Sequence, residues 1–187
     1  MISGLLTLLL IATASGPEAG GFDALIARLA PDGERAELHF RERRESSLLE
    51  KPLIVTGKLW RNQRGDLVRE TIEPRRETQT LTGEMIIIEK PGRAPRNHSL
   101  SHAPELEVLY RALTALLAGD AEALRAHFEV QLERDPDGWT ITLTPDSPTL
   151  AERVDTLTLR GREDRLQQFE LALADGETIT TELSPTP

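Results

Sequence analysis

The feature that most constrains this chain is a period-two alternation of apolar and polar residues that recurs in about ten short segments. "RAELHFRER" puts Ala36, Leu38 and Phe40 on one face and Glu37, His39, Arg41 and Arg43 on the other. "PLIVTGKLW", "DLVRETIE", "TQTLTG" and "EMIIIEK" follow at short intervals. Further on come "FEVQLER", "WTITLTP", "VDTLTLRG", "LQQFELALA" and "ETITTELSP". Each run is bounded by Pro, Gly, Asn or Asp, the residues that turn a chain. Successive side chains of a strand point to opposite faces, so alternation describes sheet with one face in water. Strands that follow one another without a helix between them pair antiparallel, because a parallel neighbour needs a long crossover. The spacing therefore predicts an antiparallel meander, with tight turns at 135–138 ("DPDG") and at Asp175-Gly176.

Two stretches break the alternation. In "FDALIARLA", Phe22, Leu25, Ile26 and Leu29 form one apolar helix face, stopped by Pro31 and Gly33. From Pro104, Leu106, Leu109, Leu113, Leu116 and Leu117 recur at helical spacing up to Gly119. Asp120 then caps a second helix that the pattern carries to Phe128. The predicted class is α+β: one large antiparallel sheet, an N-terminal helix, and a helical pair inserted between two runs of strands. The helices are the only material available to cover the sheet's apolar face.

Totals narrow the function. A net charge of −9 argues against nucleic acid as the main partner, since phosphate contacts need a basic footprint. The chain has no cysteine, which removes disulfides, thiolate nucleophiles and cysteine metal sites together. "MISGLLTLLLIATA" has an apolar core too short to span a bilayer and ends in a small-x-small pattern, so residues 1–14 read as a secretory signal. The following residue is Ser15, not the cysteine of a lipoprotein.

Catalytic signals are weak. His98 and His102 share the stretch "RNHSLSHAP", read as a loop, and nothing nearby supplies a third metal ligand. Ser99 and Ser101 stand beside them without a nucleophile turn, and no phosphate loop or H-E-x-x-H occurs. No enzyme activity, cofactor or metal is expected. An enzyme built on the 98–102 stretch is the weaker rival.

"HFRERR", residues 39–44, is the anomaly. Parity places Glu42 and Arg44 on the apolar face, where a charge needs a partner. They stand two apart and are expected to pair with each other or across a neighbouring strand. Two readings remain open: the polar end of a strand leaving the core, or a polar rim at the mouth of an apolar pocket. Aromatics are only 4% of the chain, so the apolar faces are chiefly aliphatic. That lining suits acyl chains better than planar rings, although it is also what an ordinary core looks like.

The order of these elements resembles the LolA-like outer-membrane lipoprotein carriers. The resemblance runs from about Phe22 to Pro185. It rests on Phe40 with Glu42 two residues on, Gly57-x-Leu59-Trp60, the Leu67/Arg69 strand, Pro74, and Trp139 to Pro145. The F-x-E-R-R form and "ALLAGD" are similar to a divergent branch associated with export of outer-membrane lipids such as aryl polyenes. The resemblance implies an incomplete β-barrel, a half-barrel in a single domain over 22–187, whose apolar concave face is closed by the helices. It implies a monomeric periplasmic carrier that shields the acyl chains of a lipoprotein or lipid. The cargo would come from an inner-membrane transporter and pass to an outer-membrane receptor. Expected cavity and lid residues are Leu38, Phe40, Val55, Leu59, Ile86, Ile88, Leu109, Leu113 and Leu116. An arginine ties the lid shut in the family; Arg61 and Arg64 are the candidates here, with Gln63-Arg64 standing where the family has Arg-Pro. The alternative is a non-enzymatic envelope interaction module with the same fold and a filled core.

Overall fold

The structure is a computed structural model that describes residues 18–29 and 37–185. Residues 1–14, expected to be a signal, lie outside the described residues. The chain begins with helix α1 (Glu18–Leu29) and continues into β1 (Leu38–Glu45), β2 (Leu53–Arg61), β3 (Leu67–Glu73), β4 (Glu77–Leu81), β5 (Met85–Glu89) and β6 (Arg96–Ser99). A 3-10 turn (Leu100–His102), α2 (Pro104–Ala118) and α3 (Ala121–Arg125) follow. Then come β7 (Phe128–Asp135), β8 (Gly138–Pro145), a short α4 (Pro148–Ala151), β9 (Val154–Arg162), β10 (Arg165–Leu173) and β11 (Thr178–Pro185).

All these strands form one open antiparallel sheet in the order β6-β5-β4-β3-β2-β1-β11-β10-β9-β8-β7. The predicted α+β half-barrel is present. Two meanders meet where the first strand pairs with the last, from Leu38 opposite Pro185 to Glu45 opposite Thr178. The sheet's two edges, β6 and β7, are consecutive in the chain. The connection between them must therefore cross a face of the sheet, and this is where the helical pair sits.

Several elements differ from the sequence reading. Residues 96–99, expected as loop, form β6, because Met85–Ile88 offers an unpaired edge that they extend. The second helix stops at Arg125, and Phe128 opens β7 instead of closing a helix. The expected caps hold: Asp120 accepts from the Ala123 N–H at 2.8 Å, and Gly119 ends α2 with φ 68°. The Asp135 side chain likewise accepts from the N–H groups of Asp137 and Gly138, both at 2.8 Å, closing the β7–β8 hairpin.

The core is one continuous cluster that includes residues of α1, α2 and both meanders. The principal helix–strand contacts of the described residues lie on the second meander: α2 on β9 and β10, α3 on β7, α4 on β8 and β9. There Ile141, Leu143, Leu157 and Leu159 are fully buried. The deepest face of α2 is Val108, Ala112 and Leu116. Leu109 lies on its flank, half-buried.

Candidate functional site

Residues directly opposite in antiparallel strands share a face. The register therefore follows the concave face across the first meander. Leu38, Phe40, Glu42 and Arg44 on β1 stand beside Leu59, Gly57, Val55 and Leu53 on β2. Leu67, Arg69 and Thr71 on β3 come next, then Leu81, Gln79 and Glu77 on β4, then Ile86 and Ile88 on β5.

The expected cavity residues are largely brought together. Phe40, Val55, Leu59, Ile86, Leu113 and Leu116 are buried in one cluster, and Ile88 and Leu109 pack half-buried against it. Leu38 is half-buried between Leu59 and Pro185. The two lid candidates are held within their own hairpin. Arg61 Nε donates to the Gly65 carbonyl at 3.0 Å, and the Arg64 backbone N–H donates to Asn62 Oδ1 at 2.9 Å.

"HFRERR" resolves into two ion groups on opposite faces. On the convex side Arg43 pairs with Glu45 at 2.7 Å, both half exposed. On the concave side Glu42 is only 5% exposed and is shared by three strands. Arg44 Nε donates to Glu42 Oε1 at 2.8 Å, and an Arg69 Nη donates to Oε2 at 3.0 Å. Thr181 of β11, itself buried, donates to Oε2 at 3.5 Å. The expected pairing of Glu42 with Arg44 is present, and so is a partner across the sheet.

Arg69 stands outside the expected site residues. To reach Glu42 it must span β2, and the local structure provides the path. Its guanidinium lies 4.5 Å from the centre of the Phe40 ring. That ring in turn lies over Gly57: a Cβ there would stand 2.8 Å from two ring carbons and 1.9 Å from the Glu70 carbonyl oxygen. Burial pushes the Arg69 guanidinium below its ordinary range. The Glu42 charge opposes that shift, while the neighbouring Arg44 cation adds to it. A guanidinium stays protonated regardless. A second group lies further along the face. Glu77 accepts from Gln79 at 2.6 Å and pairs with Lys90 at 2.6 Å. Burial alone would raise its carboxyl. The Lys90 and Gln79 hydrogen bonds, with the charges of Lys90 and Arg69, outweigh it and hold the group below the usual carboxylate range.

The rival chemistry gains no geometry. Among the described residues no group of three or more His, Asp and Glu side chains is placed to hold a metal. His98 and His102 are exposed. Ser99 caps the 3-10 turn, accepting from the Ser101 N–H at 3.3 Å, so these two serines have a structural task.

The family model described as "Outer membrane lipoprotein carrier protein LolA-like" matches residues 14–186. The chain belongs to this family. Solved structures with a similar outline include a LolA superfamily protein from Nitrosomonas europaea, at 12% identity and a TM-score of 0.47, covering 89% of this chain and 91% of the other. A DUF1329 family protein from Desulfovibrio piger has 10% identity and a TM-score of 0.48, covering 88% and 90%. The lipoprotein LppX of Mycobacterium tuberculosis has 17% identity and a TM-score of 0.39, covering 89% and 94%. A search of curated proteins found no match. In this LolA-like chain a buried ion group, Glu42 with Arg44 and Arg69, lies on the concave face.

Proposed function

We propose that this chain is a non-enzymatic periplasmic carrier. It holds the acyl chains of a lipid or lipoprotein against the concave face and shuttles them from an inner-membrane transporter toward an outer-membrane receptor. Residues 1–14 act as the export signal and 22–187 as the single carrier domain, working as a monomer without cofactor. One observation carries the reading: an open sheet presents an aliphatic concave face, and the helices joining its two edges lie across that face. Each acyl methylene moved from water to such a wall gains about 0.8 kcal/mol, enough to extract a chain from solution. Helices that shift between covering and uncovering the wall keep the grip reversible. Leu38, Phe40, Val55, Leu59, Ile86, Ile88, Leu109, Leu113 and Leu116 form the wall and lid in this reading. Arg61 and Arg64 remain the candidates for fastening the lid in the loaded or empty form.

The test is native mass spectrometry of the processed protein, released gently from the periplasm, together with binding of a pyrene-labelled diacylglycerol. A stoichiometric acyl-bearing species and saturable probe uptake are expected. A clean apo mass with no probe uptake would instead favour the interaction module with a filled core.

A further inference from the structure

The concave face holds one charge group that packing does not require. Glu42, Arg69 and Arg44 sit among Phe40, Val55 and Leu53, with the hydroxyls of Thr71 and Thr181 as further polar partners. Desolvating an ion costs several kcal/mol, and apolar residues of similar size commonly serve a fold as well or better. The group is also unbalanced, because two guanidiniums share one carboxylate. Each guanidinium takes a different oxygen of Glu42, so the carboxylate fixes both in place. The other acid nearby on this face, Glu77, is engaged by Lys90.

Arg44 is the member that faces outward. Its side chain is 37% exposed. Only its Nε is used, and among the described residues its two Nη groups make no hydrogen bond. Its cross-strand neighbour on the same face, Leu53, is 42% exposed, whereas Phe40 and Leu59, further along that face, are buried. A cationic fork at the rim with an aliphatic wall behind it has the polarity of an amphiphile with an anionic head.

We infer that Arg44, backed by Arg69 and oriented by Glu42, is the subsite for an anionic headgroup, a phosphate or carboxylate, on the acyl lipid carried along the concave face. A guanidinium whose two Nη groups make no hydrogen bond among the described residues matches such an oxyanion in bidentate geometry. The inference rests on the carrier reading and adds the chemical class of cargo to it: anionic lipids are preferred over neutral ones with the same chains.

The experiment is displacement of a pyrene-labelled diacylglycerol from the processed chain by dioleoyl phosphatidic acid, by dioleoylglycerol and by inorganic phosphate. It is run on the wild type, Arg44→Gln, Arg44→Lys and Arg43→Gln. Arg43 is the control, one residue away but on the convex face. Phosphatidic acid is expected to compete about tenfold better than dioleoylglycerol, as a charge-assisted bidentate contact would give. Arg44→Gln should abolish that ratio by weakening the competition from phosphatidic acid. Arg44→Lys should retain part of it, and Arg43→Gln all of it. Equal binding of the two lipids overturns the headgroup subsite and leaves the carrier reading standing. So does a preference that survives Arg44→Gln or falls equally with Arg43→Gln. Displacement by inorganic phosphate at the concentration of the lipid would mean a free-anion site and overturn the lipid assignment. If the labelled diacylglycerol does not bind the wild type at all, the carrier reading fails and the inference falls with it.

Discussion

Glu42→Gln removes the one negative charge that two arginines share, with almost no change of shape. Arg44, 37% exposed, can turn to water. Arg69 has no such escape: its side chain is 15% exposed and held against Phe40. Breaking a buried pair by removing one partner costs about 3–5 kcal/mol. Because Arg44 rehydrates and the glutamine amide still offers an acceptor, the lower end applies, about 3 kcal/mol. For a chain of this length each kcal/mol moves the melting point by about 2–4 °C, so the drop should be on the order of 10 °C. Urea denaturation followed by far-UV circular dichroism gives the free energy directly. The double variant Glu42→Leu/Arg69→Met removes both buried charges and should be clearly more stable than Glu42→Gln, because no buried charge is left uncompensated. A single variant within about 0.5 kcal/mol of wild type would refute the reasoning, since surface substitutions fall in that range. A double variant less stable than the single would refute it too.

Gly57→Ala should cost at least about 2 kcal/mol, because the added Cβ meets backbone as well as the Phe40 ring and the sheet cannot yield there cheaply; the urea midpoint checks it. Gly161→Ala places a Cβ 2.3 Å from the Trp139 ring and 2.2 Å from the Arg165 carbonyl, so tryptophan fluorescence should change along with stability. Glu77 should titrate below an ordinary glutamate in a carboxyl NMR titration, and Lys90→Met should raise it. A depressed folded-state value means that Glu77 adds stability above its unfolded value, and that this is lost as pH falls through the folded value; Lys90→Met should shrink that loss. Asp120→Ala should cost about 1 kcal/mol by removing the cap on Ala123, again read from the urea midpoint.

The strands, the caps and the turns were legible because each rests on a local rule. Alternation in "WTITLTP" needs only its own residues, and so do the cap at Asp120 and the left-handed stop at Gly119. Strand β6 was not legible, since Arg96–Ser99 carries no apolar face of its own and becomes strand only by extending β5. Leucine spacing marks the apolar side of α2 and includes the buried Leu113 and Leu116, but that Val108 and Ala112 are fully buried beside them depends on what the helix packs against.

The candidate site divides in the same way. By itself the sequence determined that Glu42 and Arg44 lie on an apolar face and need partners, because parity along one strand fixes that. Only the tertiary structure decided that Arg69, on β3, reaches Glu42 across Gly57, and that Thr181, 139 residues away in the chain, donates to the same carboxylate. The register between distant strands belongs to the whole sheet: it depends on how two meanders close on β1 and β11, and no local spacing encodes it.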